Sequence, residues 1–356
     1  MPKCLKCGAE LVVNEEGVAP VLCDRCAGRA TSRARSMLTT GTLRDYPATC
    51  ILLAINLAVY VAMVVSGVGM FSPSGLALIR WGGNFGPLTT GGEYWRLVTA
   101  GFLHSGLIHI GMNMWALWFL GPLSERLFGK WQTFLIYMLT GVGGALLSIG
   151  YAPDRLEVGA SGALFGIAGA IVAGLKFGEL PVREKQRRSL LGSVGLFIVF
   201  SLVMGMNSPN TDNMCHLGGF VTGLIIGLPL GAFARNHKLL QLATILVTAG
   251  ILVAAGHELS VRNGGQGRLY RAELAFQERN YPKAIEILEA DVAARPDDDE
   301  AMVLLGDAYM MLHQQNKAIS LYQQALKVNP NSKDAQQALK ELQDESLQQE
   351  DSPAKK

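Results

Sequence analysis

A hydroxyl, two imidazoles and a carboxamide are the side chains of this sequence best suited to covalent chemistry: Ser161, His216, His109 and Asn113. A serine hydroxyl is a poor nucleophile until a base takes its proton, and neutral imidazole is the commonest such base. All four lie in apolar stretches, where polar and ionisable groups are costly and point to function by default. His109 and Asn113 are spaced i, i+4 and share one helix face. Ser161 sits in GASGALFG, between Gly159 and Gly162. His216 opens HLGGFVTG, where Gly219 and Gly223 form a GxxxG. Small residues let helix backbones approach closely, so two such faces packed together would bring Ser161 against His216. A lone serine in a membrane helix usually bonds its own backbone, and GxxxG is common on ordinary packing faces. The weight therefore falls on the coincidence of four polar residues. His104, Asn56 and the thiols of Cys50 and Cys215 read as packing groups.

The elements that must position these residues are membrane helices. Of 356 residues, 49% are hydrophobic and only 17% charged, against about 25% charged in soluble chains. Charge is dense before residue 46 and after residue 256 and thin between, which divides the chain into a polar head, a membrane core and a polar tail. Spans of about 20 apolar residues are expected at 48–66, 104–123, 131–151, 159–177, 190–205, 213–233 and 239–256. The fold class expected is an all-α polytopic bundle with a seventh span after the first six. Arg29, Arg33, Arg35 and Arg44 precede the first span, and basic residues recur after the second, fourth and sixth. These loops face the cytoplasm by the positive-inside rule. The N-terminus, MPKCLKCGAE, has no apolar h-region, so the first span is expected to insert uncleaved and leave the head inside. The tail then falls outside, although Arg262, Arg268 and Arg271 follow the last span. Ser161, His216, His109 and Asn113 all lie near the outer ends of their spans, at similar depth by a rise of about 1.5 Å per residue.

The segments EYWRLVTAGFLHSGLIHIGMNM, GASGALFG and HLGGFVTG, in this order, resemble the rhomboid intramembrane serine proteases over about residues 48–233. That resemblance implies a helical bundle with a Ser–His dyad in a water-filled cavity. Ser161 would be the nucleophile and His216 the base, with His109 and Asn113 as oxyanion donors. Gly159, Gly162 and Phe165 would support the site, Phe165 by stacking on the catalytic histidine where many members carry tyrosine. Trp95 and Arg96 match a structural pair of the long first loop, and Glu125 an acid that ties the second span to that loop. No acid is evidently placed to orient His216, and Asp212, four residues upstream, reads as loop. The implied activity is endoproteolysis in or near transmembrane segments of membrane-protein substrates, without a catalytic cofactor. The alternative is an inactive rhomboid-like scaffold that recruits partners through its tail.

The head (1–28) carries Cys4 and Cys7 as one CxxC and Cys23 and Cys26 as a second, with fifteen residues between the pairs. In a reducing compartment four thiolates at this spacing point to a closed structural zinc ribbon. A basic linker (29–47) would contact anionic lipid. The core spans 48–233 and the seventh span 234–258. Residues 262–341 repeat with a 34-residue shift that sets Ala284 on Ala318 and Pro296 on Pro330. This period is similar to that of tetratricopeptide repeats, whose usual use is to bind a protein or peptide partner. Residues 342–356 are polar and expected to be disordered. The net charge of +2 implies no affinity for nucleic acid. The expected setting is a multi-pass protein of the cell membrane.

Overall fold

The computed structural model describes residues 9–10, 45–178, 182–206, 211–232, 237–263 and 266–350. The four head cysteines lie outside them. The described chain is helical and forms two compact units. The described residues of the first lie within Met1–Gly83, Leu97–Tyr151 and Glu157–Val253, and the second comprises Asn84–Arg96, Ala152–Leu156 and Ala254–Lys356.

The first unit begins with α1 (Pro47–Val65), which starts on a proline whose missing N–H costs nothing in a first turn. The long first loop carries three short helices, α2 (Gly75–Arg80), α3 (Gly86–Thr90), which belongs to the second unit, and α4 (Arg96–Thr99). Then come α5 (Leu107–Phe128), α6 (Lys130–Tyr151), α7 (Ser161–Phe177), α8 (Glu184–Met206), α9 (Asn213–Ala232) and α10 (Lys238–Asn263). These seven long helices overlie the seven stretches expected to span. By length and composition α1, α6, α8, α9 and α10 are able to cross a membrane, while α7 is apolar but only 17 residues long. Helix α5 is long enough, but closes on Ser124, Glu125 and Arg126.

Helix α7 is the hub. It is apolar all round and buried over nearly its whole length, as expected of a helix surrounded by others. Helix α9 lies on it backbone to backbone. A Cβ built on Gly219 would sit 2.0 Å from Gly162 O, and one on Gly223 2.0 Å from Gly166 O. Gly227 meets Ala170 in the same way at 2.5 Å. This four-residue ladder is what the GxxxG anticipated, extended by one rung. Helix α6 packs on both, with Gly143 facing Thr222 and Gly144 facing Cys215.

The Glu125 carboxylate accepts the backbone N–H of Ala48 (3.2 Å) and both the N–H (2.6 Å) and hydroxyl (2.6 Å) of Thr49. The expected tie to the long first loop is thus corrected: this carboxylate caps the first turn of α1. First-turn N–H groups lack helical partners and favour negative charge, which explains the choice.

In the second unit, α11 (Gln266–Gln277), α12 (Tyr281–Ala294), α13 (Asp299–Met311), α14 (Gln315–Val328) and α15 (Lys333–Glu350) form successive hairpins. Alanines 272, 284, 301, 308, 318, 325 and 335 are fully buried, so the helices cross closely. Arg279 and His313 take left-handed turns (φ 57° and 60°) at equivalent points of the 34-residue period. Residues 342–350, expected to be disordered, continue α15 instead. Their Leu, Gln and Glu content favours helix.

Candidate active site

Ser161 is the first residue of α7. The turn before it is made by Gly159 at φ +124°, a conformation side-chain-bearing residues rarely adopt. The N–H of Gly159 donates to Ala100 O at 2.9 Å, pinning the turn to the end of the long first loop. Glycine is required here for space as well. A Cβ at this point would lie 2.7 Å from His109 Nε2 and 3.6 Å from Asn113 Nδ2. His109 and Asn113, one turn apart on α5, therefore converge on the backbone just ahead of Ser161.

One turn after Ser161, Phe165 stacks on His216, with ring centroids 4.3 Å apart and planes 10° from parallel. Ser161 and Phe165 share a face of α7 by their i, i+4 spacing, so the His216 ring covers the face that begins with Ser161. Gly162, on the neighbouring face, takes the backbone of α9. The structure brings together Ser161, His216, His109, Asn113, Gly159, Gly162 and Phe165. It does not join Ser161 to His216 by a hydrogen bond, and His216 Nδ1 is buried without a partner. Catalytic hydrogen bonds often tighten only once substrate binds.

Asp212 is no orienter of His216. Its carboxylate accepts the N–H groups of Met214 (3.0 Å) and Cys215 (2.9 Å), and the Ser148 hydroxyl at 2.5 Å. It is a cap for α9. Asn56 bonds Leu52 O and the Tyr137 hydroxyl. Cys215 fills space against Gly144 and Gly162, and its thiol faces the buried Glu157 carboxylate at 3.5 Å.

Ser105 was missed by sequence reasoning. Its backbone N–H donates to His109 Nδ1 at 3.3 Å, and its hydroxyl lies 2.9 Å from the same nitrogen. A neutral imidazole that accepts at Nδ1 carries its proton on Nε2. His109 therefore presents an N–H toward the Gly159 turn, beside the unpartnered amide Nδ2 of Asn113. The His109 Nε2–H and the Asn113 amide thus sit side by side next to a serine and an imidazole. The i, i+4 spacing of Ser105 and His109 was the available signal. Among the described residues no group of His, Cys, Asp and Glu side chains is suited to hold a metal.

Residues 91–233 match the rhomboid domain family, and residues 275–343 the tetratricopeptide repeat family. The chain carries a rhomboid domain. Its relatives include Rhomboid protease GluP of Bacillus subtilis, 28% identical over 79% of this chain and 54% of that protein. RHOMBOID-like protein 4 of Arabidopsis thaliana is 32% identical over 52% of this chain and 50% of that protein. Rhomboid protease AarA of Providencia stuartii is 29% identical over 57% of this chain and 79% of that protein. The chain spans about half the length of the first two. The rhomboid domain makes this a multi-pass membrane protein, and Ser161, His216, His109 and Asn113 all fall inside the matched residues.

Proposed function

We propose that the chain is an intramembrane serine endopeptidase that cuts peptide bonds in or near the transmembrane segments of other membrane proteins. The convergence at the head of α7 carries the reading: His216 stacked on Phe165 along the Ser161 face, with two free donors at the Gly159 turn. In this mechanism Ser161 Oγ attacks the scissile carbonyl while neutral His216 takes its proton. The oxyanion is met by the His109 Nε2–H and the Asn113 amide, donors already aimed where charge develops. His216 then protonates the leaving amine, and water repeats the sequence on the acyl-enzyme. No side chain other than His216 accepts a proton.

The repeats sit outside the cell and the head inside. Support comes from one unit holding three segments: the loop after α1, the loop after α6 and the chain after α10. Segments packed together share a side of the membrane, and strict alternation through seven spans puts all three opposite the head. Arg262, Arg268 and Arg271, which weighed against this, are ion-paired to Glu258, Asp291 and Glu93. The repeats bind a protein or peptide partner. Cys4, Cys7, Cys23 and Cys26, outside the described residues, hold a structural zinc by their spacing. No residue of the mechanism depends on it.

The test is cleavage of a single-span reporter by purified protein in proteoliposomes. Cleavage that Ser161→Ala abolishes supports the reading. Cleavage that survives Ser161→Ala removes the nucleophile, and a wild-type chain that binds the reporter uncut is an inactive scaffold.

A further inference from the structure

The tail does more than follow the membrane core. Within the second unit, α11 lies directly on the backbone at the end of α3. A Cβ built on Gly267 would sit 2.3 Å from Pro87 O and 2.6 Å from Gly91 Cα, and one on Gly91 2.8 Å from Gly267 Cα. Only a glycine against a glycine permits this approach. One turn along α11, Arg271 donates from Nη2 to Gly91 O at 3.1 Å and pairs with Glu93 at 3.7 Å. Glu93 also holds the buried Arg96 at 2.8 Å. A single carboxylate thus links the first repeat helix to the residue that leaves the unit. The Tyr270 ring packs on Phe85 with centroids 4.7 Å apart. From the end of α10, the Ser260 hydroxyl donates to Thr90 O at 2.5 Å and accepts the Tyr94 hydroxyl at 2.7 Å. The segment Ala152–Leu156 is joined to the same loop, because Gly86 N–H donates to Pro153 O at 2.9 Å.

Chain continuity carries these contacts toward the site. Four residues beyond Arg96 is Ala100, whose carbonyl holds the Gly159 N–H. Three residues beyond Leu156 is Gly159 itself. The turn before Ser161 is thus approached covalently from Leu156 and by a hydrogen bond from Ala100; 152–156 is held by the 84–96 loop, and that loop by α11 and the end of α10. An apolar tether would bury side chains and leave the loop's carbonyls to water. Here the contacts are directional bonds to Gly91 O, Thr90 O and Glu93, concentrated on one loop.

We propose that Gly267 and Arg271 are positioning residues for proteolysis: the first repeat helix fixes the 84–96 loop, and the loop fixes the Gly159 turn. The repeats are then a working part of the protease rather than a detachable recruiter. This inference rests on the protease reading, and its test has an arm that does not.

The experiment uses the full chain in proteoliposomes, with Gly267→Val, Arg271→Ala and Arg271→Lys measured on the single-span reporter and by hydrogen exchange. Expected for Gly267→Val and Arg271→Ala is a kcat about tenfold to a hundredfold lower, the scale of a small misplacement of reacting groups, with KM within about twofold. Arg271→Lys, which keeps a donor and a charge, recovers most of the loss. Exchange rises in peptides covering 84–96 and 157–161. Arg271 is half-exposed on α11, so its variants keep the repeats folded even if Gly267→Val does not. An unchanged kcat alongside faster exchange in 84–96 overturns the coupling, and unchanged exchange in 84–96 overturns the grip. If the wild-type chain does not cleave at all, the protease reading has failed. The exchange arm then decides alone: a rise at both 84–96 and 157–161 supports the positioning, and a rise at neither or only the first overturns it.

Discussion

The Phe165 ring lies flat on the His216 imidazole, 4.3 Å away and 10° from parallel. The stack fixes the plane of the His216 ring against the face of α7 that begins at Ser161. An aromatic pair of this kind contributes about 0.5–1.5 kcal/mol beyond simple burial. Phe165→Leu is therefore expected to lower kcat on the reporter by about three- to tenfold with little change in KM, whereas Phe165→Tyr keeps the ring and stays within about twofold. Steady-state kinetics of the two variants decide it, and equal losses would deny the ring its role.

Asn113 Nδ2 is buried beside the Gly159 turn with no acceptor. Its value should emerge only when negative charge develops on the substrate. Asn113→Ala is expected to reduce kcat by about 10²–10³ while binding of the uncleaved reporter, measured with Ser161→Ala present, stays within twofold. A weakened binding constant with an unchanged kcat would make Asn113 a ground-state contact.

The glycine ladder of α7 and α9 sets a steric test. Gly219→Ala forces its methyl into Gly162 O, an overpacking that costs about 1–3 kcal/mol. Gly192, on α8, has nothing within 4 Å of a built Cβ. Gly192→Ala should be neutral, or stabilising by up to about 1 kcal/mol, since alanine is the better helix former. Thermal unfolding in detergent compares the two, and a Gly219→Ala variant as stable as wild type contradicts the close approach.

Glu125 holds three donors at the start of α1. Glu125→Ala leaves buried N–H groups unpaired, a loss of about 1–3 kcal/mol. The expected result is a lower unfolding midpoint and faster hydrogen exchange at 48–50, with the 84–96 loop unaffected. Faster exchange in the loop instead would restore the role that the family resemblance suggested.

Zinc in the head is checked by metal analysis of anaerobically purified protein. About one zinc per chain is expected, falling when Cys4 and Cys7 are changed to Ser. A metal-free wild type with reduced cysteines removes the ribbon.

The convergence of Ser161, His216, His109 and Asn113 was legible because apolar periodicity fixes their depth and glycine spacing fixes which helix faces can close. The supporting bonds were not. Ser105 reaches His109 through its backbone N–H as well as its hydroxyl, and the i, i+4 spacing that hints at the contact does not show that the turn before α5 closes it. Glu125 could have capped any nearby helix start, and only the fold chooses α1. Gly91 and Gly267 are far apart in sequence and belong to no shared repeat, so their packing leaves no pattern to read.

The ladder between α7 and α9 bears on where this molecule can yield. Backbones seated rung on rung at Gly219, Gly223 and Gly227 have no compressible side chains between them, so Ser161 and His216 ride on a stiff pair. Helix α8, which connects the pair in sequence, and α10 are both far less buried than α9. Compliance in this molecule is thus segregated from that pair, and the loosely packed α8 and α10 carry none of the four polar side chains.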